Sequence, residues 1–136
     1  MAQAAEKKIT RTELPPAVQK AADAEAQGAT ARGYSTEVEN GRREYEMEMM
    51  VNGHTRDVTF AADGNIIEIE QSVELDSLSP AVRSALRQRA GSGKILGVES
   101  LTKKGAIVAY EAKVARDGKR LEVQVGPDGQ RLDHEE

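Results

Sequence analysis

Two stretches of this sequence answer each other, and their agreement restricts the fold more than anything else in the chain. Tyr45 to Ile67 reads YEMEMMVNGHTRDVTFAADGNII, and Tyr110 to Leu132 reads YEAKVARDGKRLEVQVGPDGQRL. Tyr-Glu opens both. Asn52-Gly53 answers Asp117-Gly118 and Asp63-Gly64 answers Asp128-Gly129, each 65 positions further on. In both, a run of alternating apolar and polar residues meets a turn dipeptide, then a second run, then a second turn. Asn-Gly and Asp-Gly suit two-residue hairpin loops because both central residues need positive φ. Each stretch is therefore expected to be a three-stranded meander, and the chain an internal duplication.

The flanking segments repeat as well. Pro16 suits the first helical position, where the missing N–H costs nothing. Leu14, Val18, Ala21 and Ala22 then form an apolar stripe at helical spacing, ended by Gln27-Gly28. Leu78, Val82, Ala85 and Leu86 repeat the stripe 64 positions later, with Ser79 a better N-cap than Pro15 and Gly91-Ser92-Gly93 as the stop. Weaker strand patterns follow at Gly33–Glu39 and Leu96–Lys103, leading into turns at Asn40-Gly41 and Lys104-Gly105. Between Gly105 and Tyr110 the offset rises from 64 to 65, so the second copy carries one extra residue, compatible with a β-bulge. The last strand of the first copy is expected to reach about Val73. That of the second, near Gln130–Asp133, is expected to be short or frayed.

One helix and four strands barely bury a core alone. The expected fold class is therefore α+β: a two-layer domain of tandem α-β-β-β-β repeats sharing one antiparallel sheet of up to eight strands, with the helices on one face. The expected divisions are a flexible arm over 1–12, repeat 1 over 13–74 and repeat 2 over 75–136, in a single domain over 1–136.

With one Phe and no Trp, the core has to come from Val, Ile, Leu, Met and Ala. A net charge of −4 argues against nucleic acid as the main partner. The lack of Cys removes disulfides, thiolate metal sites and thiol nucleophiles. No apolar run approaches the roughly 20 residues of a membrane span, so no membrane insertion is expected. The start MAQAAEKK has no hydrophobic leader core. Two readings follow: a cytoplasmic chain, or a mature periplasmic or secreted form in which Met1 replaces a removed leader.

The helix entries LPPAV and LSPAV, the Tyr-Glu strand and the paired Asn/Asp-Gly and Asp-Gly turns resemble the PepSY-like family, over residues 14–71 and 78–133. That family is related in architecture to the β-lactamase inhibitor proteins. The resemblance implies an exported, non-enzymatic module that binds or restrains another protein, including peptidases, through the open sheet face. The inhibitors' disulfides and aromatic-rich face have no counterpart here, so inhibition of a β-lactamase is not carried over.

Strand alternation assigns the faces. Tyr45, Met47, Met49, Val51, Val58, Phe60, Ile67 and Ile69 should pack under the first helix. Tyr110, Ala112, Val114, Leu121, Val123 and Val125 should pack under the second. The open face receives Glu44, Glu46, Glu48, Thr55, Asp57, Thr59, Glu68 and Glu70 from the first copy, and Glu111, Lys113, Arg120, Glu122 and Gln124 from the second. Of the 19 basic and 23 acidic residues, 8 and 13 lie in 1–71, leaving 11 and 10 beyond. The candidate partner-binding residues are thus Glu44, Glu46, Glu48, Asp57, Glu68 and Glu70, facing a protein with a basic surface, with a solvated sheet face as the plain alternative. An envelope sensor domain binding a small ligand or cation is the alternative function.

No catalytic, cofactor or metal site is expected. Glu46 and Glu48 lack a pocket to split their pKa values. His54 and His134 fall in a hairpin tip and an acidic tail. Asp63-x-Asn65 and Asp128-x-Gln130 lack the further ligands of a calcium loop. Gly91-Ser92-Gly93-Lys94 follows a helix rather than joining a strand to one.

Overall fold

The computed structural model describes residues 6–136. Strand β1 (Lys7–Ile9) and a 3-10 turn (Arg11–Glu13) precede helix α1 (Pro16–Ala26), followed by β2 (Thr30–Glu39), β3 (Arg42–Val51), β4 (His54–Ala61) and β5 (Ile66–Val73). A second 3-10 turn (Leu75–Ser77) precedes α2 (Pro80–Ala90), β6 (Lys94–Lys103), β7 (Ala106–Arg116) and β8 (Lys119–Val125). The strands lie in chain order, β1 to β8, in one eight-stranded antiparallel sheet, so the class is α+β. Two compact units divide the chain, Met1–Ile69 and Glu70–Glu136, and the division falls inside β5.

In the first unit Leu14, just before α1, and Val18 and Ala22 of α1 pack with Met47, Met49, Val58 and Phe60. Met47 pairs with Val58 and Tyr45 with Phe60 across β3 and β4, so both strands send their apolar rows to the same face. Phe60, Met47 and Met49 are the largest buried side chains of this layer, each contributing about 1.5–3 kcal/mol by leaving water. Ile69 joins the cluster, whereas Ile67 lies beside Arg42, Arg43, Ala61 and Ala62, outside it. Arg56, opposite Met49, reaches Glu25 of α1 at 3.2 Å, and Arg11 bridges to Asp23.

The second unit is built alike: Leu78, Val82, Leu86 and Ala90 of the α2 segment cover Val98, Ala112, Val114, Val123 and Val125. Ser79 caps α2 by accepting the Val82 N–H at 3.3 Å, while Pro15 gives α1 no side-chain cap.

Turn chemistry explains the strand joins. Asn40, Asn52, Lys104 and Asp117 adopt φ of 51–52°, each followed by a glycine at 74–80°, the geometry of two-residue hairpins whose twist matches the sheet. The Asp63-Gly64 and Asp128-Gly129 turns differ from that expectation, since only their glycines have positive φ. Each is a wider loop closed by the same two bonds: Ala61 N–H to Asn65 O and Gly64 N–H to Ala61 O, matched by Gly126 N–H to Gln130 O and Gly129 N–H to Gly126 O.

Three further findings revise the sequence reading. The flexible arm expected over 1–12 gives way at Lys7–Ile9 to a strand paired with Tyr34–Thr36, and at Arg11–Glu13 to a 3-10 turn whose Glu13 accepts the Thr10 N–H at 3.0 Å. Residues 1–5 of that arm lie outside the described residues. The last strand of the second stretch, expected near 130–133 to be short or frayed, is not formed as a strand. Val108 is bulged where the register steps from Thr102↔Ile107 to Leu101↔Ala109, in the segment where the sequence offset rises from 64 to 65.

Candidate functional site

On the open face of the first unit, β3 supplies Glu44, Glu46 and Glu48, which alternate with the buried Met47 and Met49. Their neighbours are fixed by register: Glu44 faces Glu37 on β2, Glu46 lies between Ser35 and Thr59, and Glu48 faces Asp57 of β4. Carboxylates directly opposite one another repel. Glu44 is held above the usual carboxylate pKa, first by burial and then by Glu39, Glu37 and Glu68, with Arg42 opposing. Glu37 is raised for the same reasons, by burial and then by Glu39 and Glu6. Four of the six residues selected from sequence, Glu44, Glu46, Glu48 and Asp57, therefore lie on adjoining strands, and Glu68 acts on Glu44. Glu48 is the exposed member of its strand's acidic row.

Glu70 belongs to the second unit, where it meets residues of a different cluster. Carboxylate oxygens of Glu70, Glu99 and Glu111 all lie within 4.8 Å of one another. Glu99 sits directly opposite Glu111 in the β6–β7 ladder, and Glu111 opposite Gln124 of β8. Gln124 donates its amide to Glu111 Oε2 at 2.9 Å and accepts the Glu136 N–H at 2.8 Å. The pKa of Glu111 is pushed up to about 8, chiefly by burial, then by a hydrogen bond with Glu122, with Gln124 opposing and Glu122 and Glu70 adding like charge. Lys113 Nζ stands 3.8 Å from Glu99 Oε1. A carboxylate pKa is displaced at Glu111, a residue that the sequence reading did not weigh for this chemistry. The physical reason is that four acids from four strands crowd one patch, so one proton is retained. Three carboxylates supply only part of the six to eight oxygens that calcium takes.

Glu99 escaped the sequence reading because both ends of the β6–β7 ladder are bulged, at Leu96 and at Val108. Counting evenly back from Lys104-Gly105 would set Glu99 against Tyr110. The signal that could have found it was the one-residue rise in repeat offset. Leu96 is the other residue missed: it bulges between Ile95 and Gly97 and is 46% exposed. It lines a cleft of about 580 Å³ with Gly97, Lys113, Arg120, Leu121 and Glu122. His54 begins β4 and His134 is exposed, 4.0 Å from Glu136.

No helix among the described residues is long and apolar enough to cross a membrane, which says nothing about strands. No protein-family model and no curated protein matches the chain. Solved structures do. A protein of Bacteroides eggerthii described as periplasmic matches with a TM-score of 0.71 at 20% identity, over 87% of this chain and 85% of its own. A DUF2874 family protein from Bacteroides ovatus matches at 0.70 and 22% identity, over 88% and 85%. A BLIP-like protein from Bacteroides fragilis matches at 0.66 and 22% identity, over 87% and 83%. The chain therefore has a BLIP-like fold.

Proposed function

We propose that this is a non-enzymatic, periplasmic or secreted protein-binding module of PepSY-like type, built of two tandem copies of one unit, which restrains or recruits a partner with a basic surface. The observation that carries this reading is the acidic face of the first unit. Glu44, Glu46, Glu48 and Asp57 project from a rigid ladder, and Glu44 already bears the electrostatic cost of its neighbours. A basic partner would relieve that repulsion and meet the face faster at low salt. Similarity to a protein described as periplasmic and to a BLIP-like protein supports the compartment and the mode of action. Glu68 joins this surface through its charge acting on Glu44, and Glu70 contributes to the second unit's patch instead.

The test is capture from an envelope extract on immobilised protein, eluted with a salt gradient. The Glu46→Lys, Glu48→Lys double variant should lose a salt-sensitive partner that the native protein holds. Undiminished capture would place the surface elsewhere.

A second reading, a cation-responsive domain, is favoured by the Glu70, Glu99 and Glu111 cluster. Calorimetry with calcium at pH 6 and pH 8 should then give saturable heats and proton release, as the ion displaces the proton held by Glu111. Flat titrations at both pH values would remove this reading.

A further inference from the structure

Strands β2 and β6 each carry a one-residue bulge just before a glycine, and the side chains beside the two bulges differ. In the first unit Arg32 bulges between Ala31 and Gly33, and Gly33 faces Glu48. Arg32 donates to the Met50 sulfur at 3.4 Å. Met50 follows the buried Met49 on β3, so alternation turns it to the open face. In the second unit Leu96 bulges between Ile95 and Gly97, and Gly97 faces Lys113. The residue in the place of Met50, next after the buried Val114, is Ala115. A methyl group thus stands where the first unit has a thioether, and a leucine 46% exposed stands where it has an arginine. Beside this leucine lies the cleft of about 580 Å³. Part of its wall is bare main chain, for a Cβ on Gly97 would meet nothing within 4 Å. A glycine inside a strand often marks a close approach by a ligand or another chain. The rim is charged but balanced. Arg120 and Lys113 line it with Glu122, which faces Lys113 in the ladder, and Lys113 Nζ stands 3.8 Å from Glu99 Oε1. Two cations and two carboxylates cancel, so nothing here selects a ligand of either sign.

We propose that this cleft is a receptor for one uncharged aromatic side chain of another protein. The ring covers the Gly97 main chain between Leu96 and Leu121, and the Arg120 guanidinium stacks on its outer face, as cations do on aromatic rings. The first unit shows the kind of group that such a place accepts, a polarisable apolar side chain in contact with a guanidinium. An aliphatic side chain gains the same burial but nothing from the cation. The ring comes from a partner, because Phe60, Tyr34, Tyr45 and Tyr110, the aromatic residues of this sequence, pack in or against the two cores. Aromatic anchors seated in pockets carry much of the energy of protein interfaces. This site lies within the second unit and is separate from the acidic face proposed above, and it does not depend on a basic partner.

The probes are two capped tripeptides, acetyl-Gly-Trp-Gly-amide and acetyl-Gly-Leu-Gly-amide. The chain has no Trp, so the fluorescence anisotropy of the first reports binding without background. With the full chain it should saturate with a Kd on the order of 1 mM, as suits a single side chain. Amide shifts in NMR should gather at Leu96, Gly97, Lys113 and Leu121, and not at Glu44–Glu48. The Leu peptide, followed by the same shifts, should bind several-fold more weakly. Gly97 has no positive φ, so Gly97→Val fills the cleft without backbone strain. Ala115→Met restores the group found in the first unit. Each should weaken the Trp peptide about ten-fold with the melting temperature unchanged or raised, and if one fails to fold the other decides. Arg120→Gln should weaken the Trp peptide about two- to five-fold and leave the Leu peptide unaffected. Glu46→Lys with Glu48→Lys should leave this binding intact even if capture by the acidic face is lost. The proposal is overturned by absence of saturable binding, by equal affinity for the two peptides, or by full binding to a folded Gly97→Val or Ala115→Met chain. Shifts centred on the exposed Ile66 or Ile107 would also overturn it.

Discussion

Gly118 and Gly129 both require positive φ, at 74° and 83°, but they are constrained differently. A Cβ on Gly118 would meet nothing within 4 Å, whereas one on Gly129 would stand 2.6 Å from the Ala81 carbonyl oxygen of α2. Gly64 repeats this approach at 2.7 Å from Ala17. An alanine in the left-handed region costs about 1–2 kcal/mol. Gly118→Ala should therefore cost about that much, and Gly129→Ala distinctly more, because helix backbone cannot step aside. Urea denaturation of both variants checks this, and equal losses would mean that the turn yields. The sequence disclosed the need for glycine at both turns but not the helix pressing on one of them.

Glu111 is the second residue with a measurable signature. Its folded pKa, about 8, lies above the ordinary 4.5, so the folded state holds a proton that the unfolded chain releases. The penalty is absent below about pH 4.5 and grows until the pH passes 8. Glu111→Gln should leave the melting temperature near pH 5 almost unchanged and raise it at pH 8–9, flattening the decline between. A variant whose pH profile parallels that of the native chain would mean that Glu111 retains no proton on folding.

At the scale of elements, the strands were legible wherever a positive-φ dipeptide fixed the register, and the helices wherever an apolar stripe followed Pro. Segments lacking both signals were not. Lys7–Ile9 has three residues, two of them lysine, and is a strand only because β2 offers it an edge. The ladder of β6 and β7 was half legible: the added residue showed, but not the side chains that it realigned. This gives a test of register. Deleting Val108 removes the bulge while Leu101↔Ala109 and Glu99↔Glu111 keep their partners. Deleting Arg43 from the β2–β3 hairpin, whose register is even from Gly33 to the turn, forces a one-residue slip, which turns the following side chains to the wrong face. The Val108 deletion should stay folded with a loss of about 1 kcal/mol, and the Arg43 deletion should abolish the cooperative transition. Loss of folding in both would mean that the bulge is itself required. Helix α2 allows a simpler check, since Ser79→Ala removes its cap and should cost about 1 kcal/mol.

For the whole molecule, the sequence made the recurrence of elements plain, while the binding surfaces depend on which side chains the register sets beside one another. Strand β5 carries the division between the units within it, Ile66–Ile69 on one side and Glu70–Val73 on the other. It is the neighbour of both β4 and β6. Among the described residues each unit packs one helix on its strands around a single core cluster, of seven buried apolar residues in the first and nine in the second, and domains of this size retain little net stability. A chain cut between residues 75 and 76 deprives β6 of its neighbour and leaves β5 with an unpaired edge, a liability for aggregation. Fragments 1–75 and 76–136 should therefore be unfolded or aggregated when prepared singly. The intact chain should melt in one calorimetric transition whose van't Hoff and calorimetric enthalpies agree. Two separate transitions, or monomeric fragments with native-like spectra, would show that the two units fold independently and share only the covalent chain.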